Sequence, residues 1–144
     1  AKPPCPPALK HLATLNITLA PPIPVGPGPR GIRNIYTITG GDFKGASLSG
    51  TIPPFGGDWG LTDPSTGVFS ADTRFQFHTS DGADIFVFTN GPQQPEGVLH
   101  VRVAFETGHP TYYWLNNIAA VGIVEIGPGI RNLTINTWQI LSPK

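Results

Sequence analysis

Hydrophobic and polar residues alternate with a period of two along most of this chain. From Leu12 to Leu19, the residues Ala13, Leu15, Ile17 and Leu19 fall on one side and Thr14, Asn16 and Thr18 on the other. That spacing predicts a half-buried strand. Phe69 to Thr79 is the cleanest case, with Phe69, Ala71, Thr73, Phe75 and Phe77 set against Ser70, Asp72, Arg74, Gln76 and His78. Val98 to Glu106 repeats it, with Leu99, Val101, Val103 and Phe105 opposing His100, Arg102 and Glu106. Ile32 to Thr39 is β-branched and aromatic and reaches Gly40-Gly41, where a bulge or tight turn is expected. Phe43 to Ile52 reads as a Gly-interrupted strand stopped by Pro53-Pro54. Asp81-Gly82 is a hairpin signal into Ala83 to Thr89. Ile118 to Ile126 is apolar on both faces, and Gly127-Pro128-Gly129 turns it into a last strand, Ile130 to Leu141. Pro21 to Gly31 and Phe55 to Gly67 have no such period and read as loops.

About eight to ten short strands without a helical stretch imply antiparallel connections. Leu115 to Ile123 is the one segment to weigh as helix, and Gly122 with its β-branched neighbours favours strand. The expected fold is all-β, a closed antiparallel barrel. No Cys-Trp-Cys pattern suggests an immunoglobulin sandwich, and closure removes edge strands that few charges would protect. The chain has 144 residues, enough for one core in a single domain. We place that domain at residues 11–144, after a Pro-rich lead-in over residues 1–10.

Composition sharpens the picture in two ways. The 18 Gly and 17 Pro fit a domain rich in turns. Charged residues are only 12% of the chain and the formal net charge is zero, with no basic run. Nucleic acid and an anionic membrane are therefore not expected partners. No apolar run approaches the ~20 residues of a membrane-spanning helix. The start Ala-Lys-Pro-Pro-Cys-Pro-Pro fits a processed mature form, and Asn16-Ile17-Thr18 and Asn132-Leu133-Thr134 are glycosylation sequons. Secretion, with glycans on Asn16 and Asn132, is the expectation. Cys5 alone forms no internal disulfide and reads as an inert residue of the tail.

Candidate chemistry gathers between Gly56 and Asn117. Asp72, Arg74, Arg102 and Glu106 lie on the polar sides of two strands. They form either a solvated ladder or the lining of a barrel mouth, to which Asp58, Trp59, Tyr112, Trp114 and Asn116 are supplied by loops. An Asp beside an Arg keeps a low pKa, so it orients well but is a poor general base. His78 and His100 have no metal-ligand spacing, and no metal is expected. Phe55, Trp59, Tyr112, Tyr113 and Trp114 either stack on a planar ligand or close the end of a barrel. No nucleophile elbow, phosphate loop or dinucleotide fingerprint occurs, and no cofactor is expected.

Several of these pieces, in this order, carry a resemblance. Gly50-Thr51, Gly56-Gly57-Asp58-Trp59, Asp72 with Arg74, Asp81-Gly82-Ala83, Phe105-Glu106-Thr107-Gly108 and Trp114-Leu115-Asn116 run from about Tyr36 to Glu125. Together they resemble the family catalogued as domain of unknown function 3237. The resemblance implies a small antiparallel β-barrel, often a homo-oligomer, without an established general activity. Pro92 to Gly97 is short beside the insertion that family members commonly carry there.

The functional expectation is a secreted barrel that binds a small organic ligand in its lumen or mouth. Asp58, Trp59, Asp72, Arg74, Arg102, Tyr112, Trp114 and Asn116 are its candidate ligand-binding residues. The first alternative is an isomerase- or cyclase-type enzyme, with Asp58 or Asp72 handling a proton and Tyr112 or Arg74 stabilising oxyanion charge. The second is a carbohydrate-binding or structural protein, resting on the aromatics. Which face of Phe69 to Thr79 lines the interior decides among them.

Overall fold

The computed structural model describes residues 1–143 and shows a closed antiparallel β-barrel. Its strands are β1 (Ala8–Leu19), β2 (Ile23–Gly28), β3 (Gly31–Lys44), β4 (Ser49–Ile52), β5 (Gly57–Thr62) and β6 (Phe69–Thr79). They continue with β7 (Asp84–Pro92), β8 (Leu99–Glu106), β9 (Ala120–Ile126) and β10 (Asn132–Leu141). The sheet runs β1-β10-β9-β8-β7-β6-β4-β3, and a β1–β3 pairing closes it. The short strands β4 and β5 follow one another in a single position between β3 and β6. β2 lies outside the ring, paired with the first part of β3.

Two predicted loops are strands, and each departure has a cause. In Pro21 to Gly31 the residues Ile23–Gly28 form β2 despite Pro24 and Pro27. An edge strand pairs on one side only, so a proline there removes no obligatory ladder bond. In Phe55 to Gly67 the residues Gly57–Thr62 form β5, its glycines hiding the period. Gly56, at φ 95°, leads into it where a side-chain carbon would collide with the Arg74 carbonyl. Only glycine meets both demands. Phe43 to Ile52 is interrupted at residues 45–48, so it ends β3 and supplies β4. Pro110–Asn117 is a 3₁₀ segment rather than a loop, and it absorbs Leu115 to Asn117.

On β6 the odd positions Ala71, Thr73, Phe75, Phe77 and Thr79 are buried, while Arg74 and His78 are exposed. On β8, Leu99, Val101, Val103 and Phe105 are buried and Arg102 and Glu106 exposed. The aromatic positions win the interior because each large side chain gains about 1.5–3 kcal/mol on burial. An unpaired charge in the same place would cost several. Phe43 and Phe77 stack with centroids 3.8 Å apart, and Phe75 and Phe105 pack on Phe77 at 6.0 Å. This plug fills the middle of the barrel.

The two ends differ. At the end of the β6–β7 hairpin, Tyr112 and Leu115 of the 3₁₀ segment are buried as a cap. At the other end, reached by Leu19, Phe69, Leu99 and Ile126, the space above the plug stays open.

Candidate functional site

That open end holds a cavity of about 210 Å³. Most of its wall is aliphatic: Ile17, Ile38, Leu99, Val124, Leu133 and Ile135. The exception is a row of polar side chains on neighbouring strands. Tyr36 of β3 is in register with Asp58 of β5, Asp58 with Thr73 of β6, and Thr73 with Thr89 of β7. All four are buried and line the cavity. Register-paired residues on one sheet face are near neighbours, so a ligand meets the row as one polar edge.

Asp58 is the group of consequence. Its side chain is held inward by pairing on both sides of β5, and one carboxylate oxygen accepts the Asp72 amide hydrogen at 2.9 Å. At 7% exposure it is almost out of water. Burial pushes its pKa up to about 6; the Asp72 amide and Thr73 hydroxyl pull it down, and the Asp72 charge adds a smaller upward push. Tyr36 is raised as well, by burial first and then by the charge of Asp58. Among the described residues no Lys, Arg or His lines the cavity. The result is a carboxyl that changes protonation near neutral pH inside an apolar chamber, beside a neutral phenol.

Phe69 forms part of the outer wall, edge-on to Tyr36 with centroids 6.4 Å apart. Gly60 makes room for it, because a side-chain carbon there would run into the Phe69 ring. The Gly-Gly-Asp-Trp-Gly run therefore delivers an inward acid, an outward tryptophan and the space for one cavity wall.

Of the residues expected in one pocket, the structure brings only Asp58 to the cavity. Asp72, Arg74 and Arg102 face outward, which corrects the expectation that they share a chamber with Asp58 and Trp114. The Arg74 guanidinium is 3.6 Å from the Asp72 carboxylate, both half-exposed, and lies 5.1 Å above the Phe88 ring. Arg102 donates to Asn90 at 3.3 Å, and Glu106 is exposed. This is a solvated ladder on the barrel exterior.

Trp59 is on the outer face of β5, where its carbonyl accepts a hydrogen bond from Arg33 at 2.9 Å. Tyr112, Trp114 and Asn116 sit at the capped end. The Tyr112 hydroxyl donates to Asp81 at 2.7 Å and the Thr79 hydroxyl does so at 2.6 Å. These bonds hold the Asp81 carboxyl below its usual range, and the bond to Asp81 raises Tyr112. Asn116 accepts from the Thr107 amide at 2.9 Å and donates to the carbonyls of Thr107 and Tyr113. It is a clamp on the 3₁₀ segment. Trp114 borders a separate depression with Lys10, His11 and Gln139.

His78 bonds Asp84 at 2.8 Å on the surface, and His100 lies 4.0 Å from Glu96. Asn16 and Asn132 are exposed, Asn16 donating to Asp42 at 3.2 Å. Sequence reasoning missed Tyr36, Thr73 and Thr89. Their signal was a polar residue on the otherwise apolar side of a strand, as Thr73 is between Ala71 and Phe75.

Residues 7–140, the span of this barrel, match the family described as "Protein of unknown function (DUF3237)". The chain belongs to that family. It is 32% identical over 138 residues to the hydroalkoxylation enzyme phnH of Penicillium herquei, covering 95% of this chain and 86% of that protein. A UPF0311 protein of Rhodopseudomonas palustris is 30% identical over 130 residues, 78% of this chain and 84% of its own length. Among solved structures, a β-barrel-like protein from Acinetobacter baumannii superposes with a TM-score of 0.86 at 31% identity, over 97% of this chain and 99% of that one. An enzyme from Penicillium herquei superposes with a TM-score of 0.80 at 31% identity, over 97% and 98%. One of these relatives is thus named for a reaction.

Proposed function

We propose that this chain is an enzyme of the barrel cavity, adding the hydroxyl of a small, largely apolar substrate across a carbon–carbon double bond. One observation carries the reading: Asp58, 7% exposed and raised to about 6, stands in the lining of a largely apolar cavity as its one carboxyl among the described residues. The similarity to a protein named for hydroalkoxylation supports the reaction class. The cavity suits a small substrate. A void of about 150 Å³ takes up benzene, and this one is larger, at about 210 Å³.

The chemistry balances on one carboxyl group. Protonated Asp58 gives its proton to one alkene carbon, forming a C–H bond as the π bond breaks. The substrate oxygen bonds to the other carbon, and its hydroxyl proton returns to the Asp58 carboxylate. Nothing is oxidised or reduced, and the acid ends as it began. A carboxyl near 6 serves both halves, donating in one step and accepting in the next. Tyr36 stays neutral and is placed to donate a hydrogen bond to the substrate oxygen.

Incubation with a panel of small alkenyl alcohols and alkenyl phenols in deuterium oxide tests this. One deuterium should appear on the former alkene carbon of a cyclic ether, and Asp58→Asn should abolish it. Cyclisation that proceeds equally with Asp58→Asn would overturn the assignment. The same aliphatic lining favours a second reading, a carrier that binds without converting. Tight binding with no product across the panel would select it.

A further inference from the structure

The cavity opens where its lining residues are least buried. Ile17, Ile38 and Ile135 at its floor are 1–2% exposed, whereas Ile126 and Ile130 are 36% and 39% exposed. Phe69 and Gln93 are part-buried between these extremes. The rim is therefore made by the turn joining β9 to β10 on one side and by Phe69 and Gln93 on the other.

Ile130 occupies that rim in an unusual backbone state. Its φ is 56°, the sole positive value at a non-glycine position among the described residues. A β-branched side chain is the type that tolerates this region worst. Its neighbour Gly129 adopts φ 67° without that difficulty. The turn is tied down around it: the Gly127 amide donates to the Asn132 carbonyl at 2.8 Å, and the Leu19 amide to the Arg131 carbonyl at 2.8 Å. These bonds hold the backbone in a shape that glycine would adopt more readily. The surroundings over-determine a strained position, and such positions cluster at ligand clamps.

From these two independent observations we infer that Ile130 is a specificity-determining residue, the gatepost that sets how bulky an uncharged ligand can enter the barrel. The ligand class follows from the walls. Ile126, Ile130 and Phe69 present hydrocarbon to the entrant, and among the described residues no cationic side chain lines the chamber to receive an anion. The inference rests on reading the cavity as the ligand site, and not on the reaction assigned to it.

The test uses two neutral fluorescent probes, 2-naphthol and the bulkier N-phenyl-1-naphthylamine, with Ile130→Ala and Ile130→Gly. Ile130→Ala removes the bulk and keeps a side chain at positive φ; Ile130→Gly removes the bulk and the strain. Both should raise the association rate of the bulky probe by roughly tenfold, with little change for 2-naphthol. Ile130→Gly should also melt at a higher temperature than Ile130→Ala. Equal rates for the bulky probe in wild type and both variants would overturn the gatepost. Failure of every version, wild type included, to bind either probe would overturn it together with the cavity as ligand site. Ile130→Asn, a residue that accepts positive φ, serves if Ile130→Ala is unstable, with the same rate criterion. Because the readout is binding, loss of turnover in Asp58→Asn with the gate effect intact separates this inference from the reaction.

Discussion

Replacing Asp58 by Asn should make the protein more stable at neutral pH, while removing its proposed chemistry. The magnitude follows from the carboxyl's pKa, raised by burial from 3.8 to about 6. With the folded value above the unfolded one, the native state holds the proton more tightly between pH 3.8 and 6. Stability therefore falls as pH rises through that window, and the whole penalty is present above pH 6. Roughly two pKa units at about 1.4 kcal/mol each make a penalty of about 3 kcal/mol. Below pH 3.8 the group is protonated in both states and costs nothing. Asn is neutral throughout and keeps an oxygen for the Asp72 amide. Its advantage over Asp should grow by about 2 kcal/mol between pH 4.5 and pH 7.5. Urea melts of both proteins at the two pH values measure that growth. Effects of the swap that do not titrate cancel in the difference, as do ionising groups that do not interact with residue 58. A stability difference that stays flat with pH would refute the burial of an ionisable carboxyl at this position, and the acid–base reading with it.

Four other outcomes follow. Turnover that uses protonated Asp58 should fall as pH rises through about 6, and a rate that climbs through that pH would mean the carboxylate acts first as base. Arg74→Ala should cost under about 1 kcal/mol in denaturant melts, because its pair with Asp72 is half-exposed; a loss of several would contradict its exterior placement. Gly60→Ala should destabilise by about 1–3 kcal/mol and weaken ligand binding, since it displaces Phe69 from the cavity wall; unchanged affinity in titrations would show that Phe69 does not shape the site. In a glycosylating host, secreted protein should gain mass at Asn16 or Asn132, whose side chains are exposed; an unmodified intact mass would refute the modification.

Much of the barrel was legible in the sequence because a strand's period of two is a local property. Phe69 to Thr79 and Val98 to Glu106 announce their two alternating faces residue by residue, and the structure keeps that alternation. Strands whose residues carry no contrast were missed. β5 is glycine-rich and β2 proline-broken, and each exists because a neighbouring strand pairs with it.

The site divides along the same line. Sequence alone determined that Asp72, Arg74 and Arg102 share a polar face and that Asp58 sits in a run of glycines. It left open which face is interior, since alternation is symmetric until something fills one side. Tertiary structure decided that by stacking Phe43 on Phe77 and turning the charges out to water. It also decided that one acid is inside: Asp58 is buried because Tyr36 and Thr73, distant in sequence, flank it in register. Burial, which raises its pKa, depends on all the strands at once, and no short stretch of residues encodes it.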